Sequence, residues 1–155
     1  MVQKIILLIT VLAYSIIVSQ SFMFILALKN MQLSLDGSTY TVVRKLIDSS
    51  MRDNFKYAVY GALIANLALV GITARNPGGL LFICTAIAFV ALVADTMIML
   101  KGNLPVNDLI NSWSADSIPQ NWPEIRAKWF HYYQYRQVAN IIGFCSLVTG
   151  AIFGK

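Results

Sequence analysis

Aromatic, cationic and amide side chains recur along one face of the last helix that the sequence predicts. They stand 4, 3, 4, 3 and 4 positions apart, so an α-helix places them all on one stripe. The six residues are Trp122, Arg126, Trp129, Tyr133, Arg136 and Asn140. Aromatic rings enclose planar ligands, and guanidinium groups hold an oxyanion through paired N–H donors. The stripe therefore predicts one wall of a small-molecule site.

A second interpretation of the stripe stays open. Tryptophan and tyrosine collect at the depth of lipid headgroups and form aromatic belts around membrane proteins. A belt does not require arginines in register with the rings, whereas a pocket wall uses them. In the pocket interpretation, Trp122, Arg126, Trp129 and Arg136 line one cavity together with Asn107. Arg136 is the deepest cation of this set.

Asp95 is the sharpest single position for chemistry. It lies six residues before Lys101, which puts it about 9 Å inside the end of an apolar helix. A carboxylate at that depth is costly unless it is paired or hydrated. Arg52, Lys56 and Arg136 are the candidate cations. Asp95 is therefore either half of a structural ion pair between helices or the carboxylate of a site, and we expect Arg136 or Arg52 within salt-bridge reach.

The segment from Asn103 to Trp113 is too apolar for a free loop. Pro105 suits the first turn of a short helix that continues to Trp113. Leu109, Ile110 and Trp113 share one face of that helix, so the segment should pack on the ends of the long helices. Asn103 and Asn107 then lie near the mouth of the bundle, either as helix caps or as ligand contacts.

Familiar cofactor and metal motifs are missing from the sequence. There is no Walker loop, dinucleotide fingerprint, nucleophile elbow or bis-histidine haem pattern, and no His, Cys or carboxylate pair has metal-ligand spacing. The single histidine, His131, lies off the stripe. We therefore predict neither a metal nor a cofactor, and the absence of a block of like charges argues against nucleic-acid binding.

Four long apolar segments must position these residues. They cover about 5–28, 55–73, 80–100 and 130–153, in a chain that is 57% hydrophobic and 12% charged, with mean hydropathy +0.65. A bilayer is crossed by about 20 apolar residues, and lipid forces such segments to be helical. The sequence thus predicts a single all-α domain, a four-helix transmembrane bundle. We take the first segment as a retained helix, because it is too long for a signal peptide.

The connections between the apolar segments differ in length and charge. An amphipathic helical stretch, Tyr40–Met51, follows the first segment and runs into the second, and a partly helical loop joins the third to the fourth. Of the 12 Lys and Arg residues, only Lys4, Arg75 and Lys155 lie on the side of the termini. The positive-inside rule then places the two long loops in the cytoplasm, at the inner or plasma membrane if the source is bacterial.

At the stripe the sequence resembles the anthrone-oxygenase-like family of small four-helix membrane proteins. Pro105-Val106-Asn107 matches the family's Pro-x-Asn after the third helix. Trp122, Trp129 and Arg136 match its two tryptophans and later arginine at seven-residue spacing. Tyr40–Asp48 resembles the family's segment after the first helix. Members often carry Asn-His just before the final arginine, whereas Tyr133-Gln134 stand near those places here, which argues against histidine-based chemistry.

The resemblance implies an enzyme that oxidises an anthrone to an anthraquinone with O₂, without metal or flavin. Such chemistry requires a base, a dry pocket and cationic donors for an oxyanion. On this reading Arg136 and Arg126 are the donors, and Asp95 is the base or the residue that orients the donors. The implied catalytic residues are Asp95 and Arg136. Together with the stripe and the loop, the resemblance gives these predicted substrate-binding residues: Asn103, Asn107, Trp113, Trp122, Arg126, Trp129 and Tyr133.

Three functions remain open from the sequence. The first is a cofactor-free oxygenase or related enzyme that acts on an apolar aromatic or quinone-like compound. The second is a non-catalytic subunit that binds lipid or quinone, or packs in a larger membrane complex. The third is a small carrier, for which only Gln20 and Asn66 stand out as polar groups in the terminal half. The expected partners are the lipid bilayer, an apolar small molecule and a membrane protein.

Overall fold

The protein is all-α and consists of four long helical segments, two of which contain a π-helical turn. The computed structural model describes residues 1–114 and 117–154. The chain order is α1 (Val2–Met23), a first π-turn (Phe24–Leu28), α2 (Lys29–Ser34), α3 (Gly37–Thr73), α4 (Leu80–Ile98), a second π-turn (Met99–Asn103), α5 (Leu104–Asn111) and α6 (Trp122–Phe153). The predicted fold class is confirmed.

Four of these segments are long and apolar enough to cross a membrane: Val2–Ser34, Gly37–Thr73, Leu80–Asn111 and Trp122–Phe153. Their outward faces are apolar. Leu26 is 80% exposed, Ile64 69% and Val90 66%. A water-soluble domain does not cover itself with contiguous aliphatic surface. The lipid hydrocarbon of a bilayer is the environment that suits it.

The first segment runs further than the sequence indicated. Its helix continues through the first π-turn to Ser34, rather than ending near residue 28. The next helix is capped by Asp36, whose Oδ1 accepts the backbone N–H groups of Ser38 at 2.9 Å and Thr39 at 3.1 Å. Hydrogen bonds from the Thr39 side chain and backbone lower the pKa of Asp36. Because this cap lies at Asp36, before the amphipathic stretch, that stretch and the second apolar segment form one helix of 37 residues.

The third segment does not end near residue 100, where the sequence predicted its end. It passes through the second π-turn into α5 without a break. A wider turn suits the residues before Pro105, since a proline ring collides with the carbonyl four residues earlier in a regular α-helix. Gly102 is needed in this turn, because a Cβ there would lie 2.6 Å from the Tyr132 ring.

The segment Asn103–Trp113 packs against the bundle, as predicted. Val106, Ile110 and Trp113 are buried. Two details differ from the expectation: α5 ends at Asn111, and Leu109 is 46% exposed. Leu109 is one position away from the buried face of α5, so the rotation of this short helix turns it outward.

The bundle has two cores, stacked along its length. The core in the half that holds the termini is mostly aliphatic and includes Leu69, Leu92 and Leu147. The core at the end with the two long connections is aromatic and includes Phe24, Tyr40, Trp129 and Tyr133. The predicted site residues lie in and around this aromatic end.

Candidate functional site

A cavity of about 630 Å³ lies between all four helical segments, toward the end with the long connections. This volume falls within the range of sites for small organic molecules. α1 and the first π-turn contribute Gln20 and Phe24, α3 contributes Arg44 and Asp48, and the remaining segments supply amides and aromatic rings. Among the predicted residues, the cavity is lined by Asn103, Asn107, Trp129, Tyr133 and Arg136.

Asn107 joins three helical segments on the cavity wall. Its Oδ1 accepts hydrogen bonds from Trp129 Nε1 at 2.7 Å and Arg44 Nη2 at 2.9 Å. Its Nδ2 donates to Asp48 Oδ1 at 2.8 Å. The orientation of the Asn107 amide is therefore fixed, because its Oδ1 accepts from two donors and its Nδ2 donates to a carboxylate. The guanidinium carbon of Arg44 lies over the Trp129 indole, 3.9 Å from the ring centroid.

Asp48 collects donors from α3 and α5. Arg52 donates to its Oδ2 through Nε at 3.2 Å and Nη2 at 3.0 Å, and Asn111 Nδ2 donates to the same oxygen at 2.8 Å. Arg52 also reaches Asp108 at 2.7 Å. With Asn107 on the other oxygen, this carboxylate is held by the protein on both sides. Asp48 therefore fixes the polar wall and has little capacity left for a ligand.

Of the two predicted partners of Asp95, Arg136 and Arg52, the structure pairs it with Arg136. Arg136 Nε donates to Asp95 Oδ1 at 2.7 Å, and both side chains are buried. Asp95 itself does not line the cavity, whereas Arg136 does. The carboxylate thus stands behind the guanidinium, which fits a residue that orients Arg136 better than a base that touches a ligand.

Aromatic rings form the apolar wall of the cavity. Trp129 and Tyr133 stack with 4.9 Å between centroids and an angle of 13°. Phe24 lies 4.4 Å from Tyr133 and 5.7 Å from Trp129. Phe24 comes from the first π-turn, so the irregular helix brings this ring against α6. A planar apolar ligand would find several ring faces and edges here.

Trp122 and Arg126 do not line this cavity, which corrects the expectation that the whole stripe faces one site. Arg126 Nη1 donates to the carbonyls of Gln32 at 3.3 Å and of Leu33 and Leu35 at 3.2 Å, and so caps the end of α2. Trp122 packs on Tyr40 with 5.9 Å between centroids. The stripe is about 27 Å long, longer than the cavity, and the connection from α2 to α3 covers its first turns.

Trp113 is also outside the cavity lining. It is buried in the aromatic core, and its backbone carbonyl accepts a hydrogen bond from the Lys45 ammonium. Trp113 follows the last turn of α5, and its contact with Lys45 on α3 holds the end of α5 against α3. His131 is exposed and makes an edge contact with Tyr135, so it too lies away from the cavity.

Three buried polar atoms of cavity-lining residues make no hydrogen bond within the described part of the chain. They are Gln32 Oε1, Arg44 Nε and Asn103 Oδ1. The orientation of Asn103 is set by its Nδ2, which donates to the Trp129 carbonyl at 3.0 Å. Buried polar groups are nearly always paired in proteins. These three atoms therefore indicate where a ligand would find complementary groups.

Sequence reasoning missed Arg44, Asp48, Gln32 and Phe24 as site residues. Arg44, Asp48 and Arg52 follow one another at four-residue spacing, so they form a second polar stripe, on α3. This four-residue spacing can be seen in the sequence, but it does not by itself predict a site, because charged residues on an amphipathic helix usually face solvent. Gln32 and Phe24 carry no such pattern.

The residues described in the structure contain no group of three His, Cys, Asp or Glu side chains that could hold a metal ion. No family model, curated protein or solved structure matches this chain.

Proposed function

We propose that this protein is a membrane enzyme that oxidises an apolar aromatic or quinone-like compound with O₂, in the manner of the cofactor-free anthrone oxygenases. The observation that carries the proposal is the cavity itself. It is lined by the Phe24, Trp129 and Tyr133 rings and by buried cations and amides that contact those rings. Catalysis of this type depends on placing an electron-rich ring beside fixed positive groups in a water-poor site.

The reaction balances without a metal or flavin: an anthrone and O₂ give an anthraquinone and water. Loss of a methylene proton to water gives the enolate of the anthrone, and the proton is returned when the peroxide becomes a hydroperoxide. The enolate carbon then passes electrons to O₂ and forms a hydroperoxide, which loses water to leave the quinone. Negative charge on the enolate oxygen is the feature that a protein can stabilise.

The residues divide into contacts and supports. Arg136 and Arg44 present guanidinium groups at the cavity and are the donors for the oxyanion. Asp95 holds Arg136 at 2.7 Å, and Asn107 holds Arg44 at 2.9 Å. Stacking on Trp129 restrains Arg44 further. Donors that are fixed before the reaction stabilise developing charge without reorganising during it.

The proposal is tested with the full chain in nanodiscs, anthrone as substrate and an oxygen electrode. Empty nanodiscs and heat-denatured protein measure the uncatalysed oxidation. We expect O₂ uptake and anthraquinone formation in equal amounts, well above both controls, and a strong decrease for Asn107→Leu. Matched Asn66→Leu replaces a buried amide outside the cavity lining and should keep the rate.

A rate equal to that of empty nanodiscs would overturn the oxygenase proposal. If anthrone nevertheless binds, the protein is a non-catalytic binding subunit. Mass spectrometry of small molecules retained during purification gives an independent result. An aromatic or quinone-like compound lost in Asn107→Leu would support the cavity as its binding site.

A further inference from the structure

Arg44 differs from the other cations of the cavity in how its charge is balanced. Arg136 is paired with Asp95 at 2.7 Å. Arg52 contacts both Asp48 and Asp108, and Lys56 lies 4.0 Å from Asp53. Within residues 1–114 and 117–154, Arg44 has no carboxylate at salt-bridge distance, although its side chain is only 4% exposed.

The nearest carboxylate along the hydrogen-bond network is Asp48, and it is already engaged. Asn107 stands between Asp48 and Arg44, donating to the first and accepting from the second. Arg52 and Asn111 occupy the other oxygen of Asp48. Asp48 therefore attracts Arg44 from beyond salt-bridge distance, with the Asn107 amide between them.

Two further features concern the donors and the position of the Arg44 guanidinium. Its Nε is buried and makes no hydrogen bond to the described residues, and Arg44 lines the cavity. The guanidinium is held on one face by the Trp129 ring and on one edge by Asn107. A buried guanidinium requires a counter-charge and partners for its donors. The group that completes both is an anionic oxygen inside the cavity.

We infer that the cavity binds an organic anion with an aromatic or otherwise apolar body, whose negative oxygen pairs with Arg44. The inference rests on the proposed small-molecule site and deepens it by naming the charge of the ligand and the residue that selects it. Arg136, already neutralised by Asp95, is then the secondary donor. An aromatic enolate, phenolate or carboxylate and the carboxylate of a fatty acid share this chemistry.

A matched pair of probes isolates the charge. 2-Naphthoate is ionised at neutral pH, and 2-acetonaphthone has the same ring and nearly the same shape but carries no charge. Binding of each to the full chain in phosphatidylcholine nanodiscs is measured by equilibrium dialysis, with empty nanodiscs subtracted for partition into lipid. We expect 2-naphthoate to bind at least tenfold more tightly than 2-acetonaphthone.

Variants assign that preference to Arg44. Arg44→Gln should reduce the ratio of the two affinities to about one, whatever it does to the binding of 2-acetonaphthone itself. Arg44→Lys keeps the charge but loses the planar fork, so it should retain a smaller preference. Arg126→Gln is the matched control, because Arg126 also lies over a tryptophan, Trp122 at 4.6 Å, yet does not line the cavity. It should keep the wild-type ratio.

The outcomes separate the inference from the proposed function. Equal affinities in the wild-type protein would overturn the inference and leave a neutral aromatic ligand for the oxygenase. Unchanged preference in both Arg44 variants would overturn the role of Arg44. Failure of both probes to bind would remove the aromatic site itself. Competition with oleate distinguishes an aromatic anion from a fatty acid. If oleate displaces 2-naphthoate at lower concentrations than 2-naphthoate itself requires, the ligand is a lipid-derived acid.

Discussion

Arg44 and Trp129 form the central contact of the cavity wall, with the guanidinium carbon 3.9 Å from the ring centroid. The two residues lie on different helices and 85 positions apart in the chain. Asn107, from a third helical segment, accepts a hydrogen bond from each of them. The cavity therefore depends on the relative placement of three helical segments. Substitutions of single residues in the bundle test this arrangement.

The first prediction concerns the buried Asp95–Arg136 pair. Asp95→Ala leaves a buried guanidinium without its carboxylate, so we expect a loss of about 3–5 kcal/mol in the free energy of unfolding. Thermal unfolding in detergent, followed by circular dichroism, measures it. Asp53→Ala is the control, because Asp53 is exposed and its carboxylate is as far as 4.0 Å from the Lys56 ammonium. This substitution should change stability little.

The double variant Asp95→Leu with Arg136→Met sharpens this prediction. Replacing both charges with apolar groups removes the unpaired cation, so stability should return toward the wild-type value. A double variant that is as unstable as Asp95→Ala would show that packing, rather than the unpaired charge, causes the loss.

The second prediction separates the fork of Arg136 from its charge. Arg136→Lys keeps a cation beside Asp95 but loses the planar N–H pair that would face the ligand. We expect about a tenfold or greater loss of anthrone oxidation with a small change in melting temperature. Full activity of the lysine variant would mean that Arg136 serves only in folding or topology.

The third prediction concerns Gly143 on α6. A Cβ at this position would collide with the Tyr14 hydroxyl and lie 2.9 Å from Ala91 Cβ. Gly143→Ala should therefore destabilise the bundle by about 1–3 kcal/mol, and Tyr14→Phe in the same chain should restore part of it by removing the hydroxyl. Unfolding in a denaturing detergent series compares both variants with the wild type.

Glycines without close neighbours provide the comparison for Gly143. A Cβ at Gly61 or Gly71 would meet nothing within 4 Å. Alanine is the better helix former at such positions, by about 1 kcal/mol. Gly61→Ala should thus be neutral or stabilising, and an equal loss at Gly61 and Gly143 would contradict the packing explanation.

The fourth prediction concerns membrane orientation. The excess of Lys and Arg around the long connections predicts that these connections face the cytoplasm. In a background without Cys84 and Cys145, Gln120→Cys should react with an impermeant maleimide only after cells are permeabilised, whereas Gly78→Cys should react in intact cells. The opposite pattern would reverse the orientation and attribute the arginines to the site rather than to topology.

The lengths of the apolar segments and helical periodicity predicted the architecture of this protein. Apolar segments of membrane-spanning length and the amphipathic stretch after the first of them predicted the four-helix bundle, and Pro105 predicted a short helix to Trp113, which the structure shows as Leu104–Asn111. The depth of Asp95 in an apolar helix predicted a buried ion pair, since a lone carboxylate there is too costly. Each of these conclusions depends on the pattern of a single helix and on the lipid around it, and not on which helices contact one another.

Only the tertiary structure decided which residues meet. Periodicity shows which side chains share a face of a helix, but not which neighbour covers that face or where the cover ends. For this reason the stripe on α6 divided into cavity residues, such as Trp129 and Arg136, and capping residues, such as Arg126. For the same reason Arg44 became a cavity cation: its partners Asn107 and Trp129 come from other helices, and contacts between distant segments leave no local spacing in the chain.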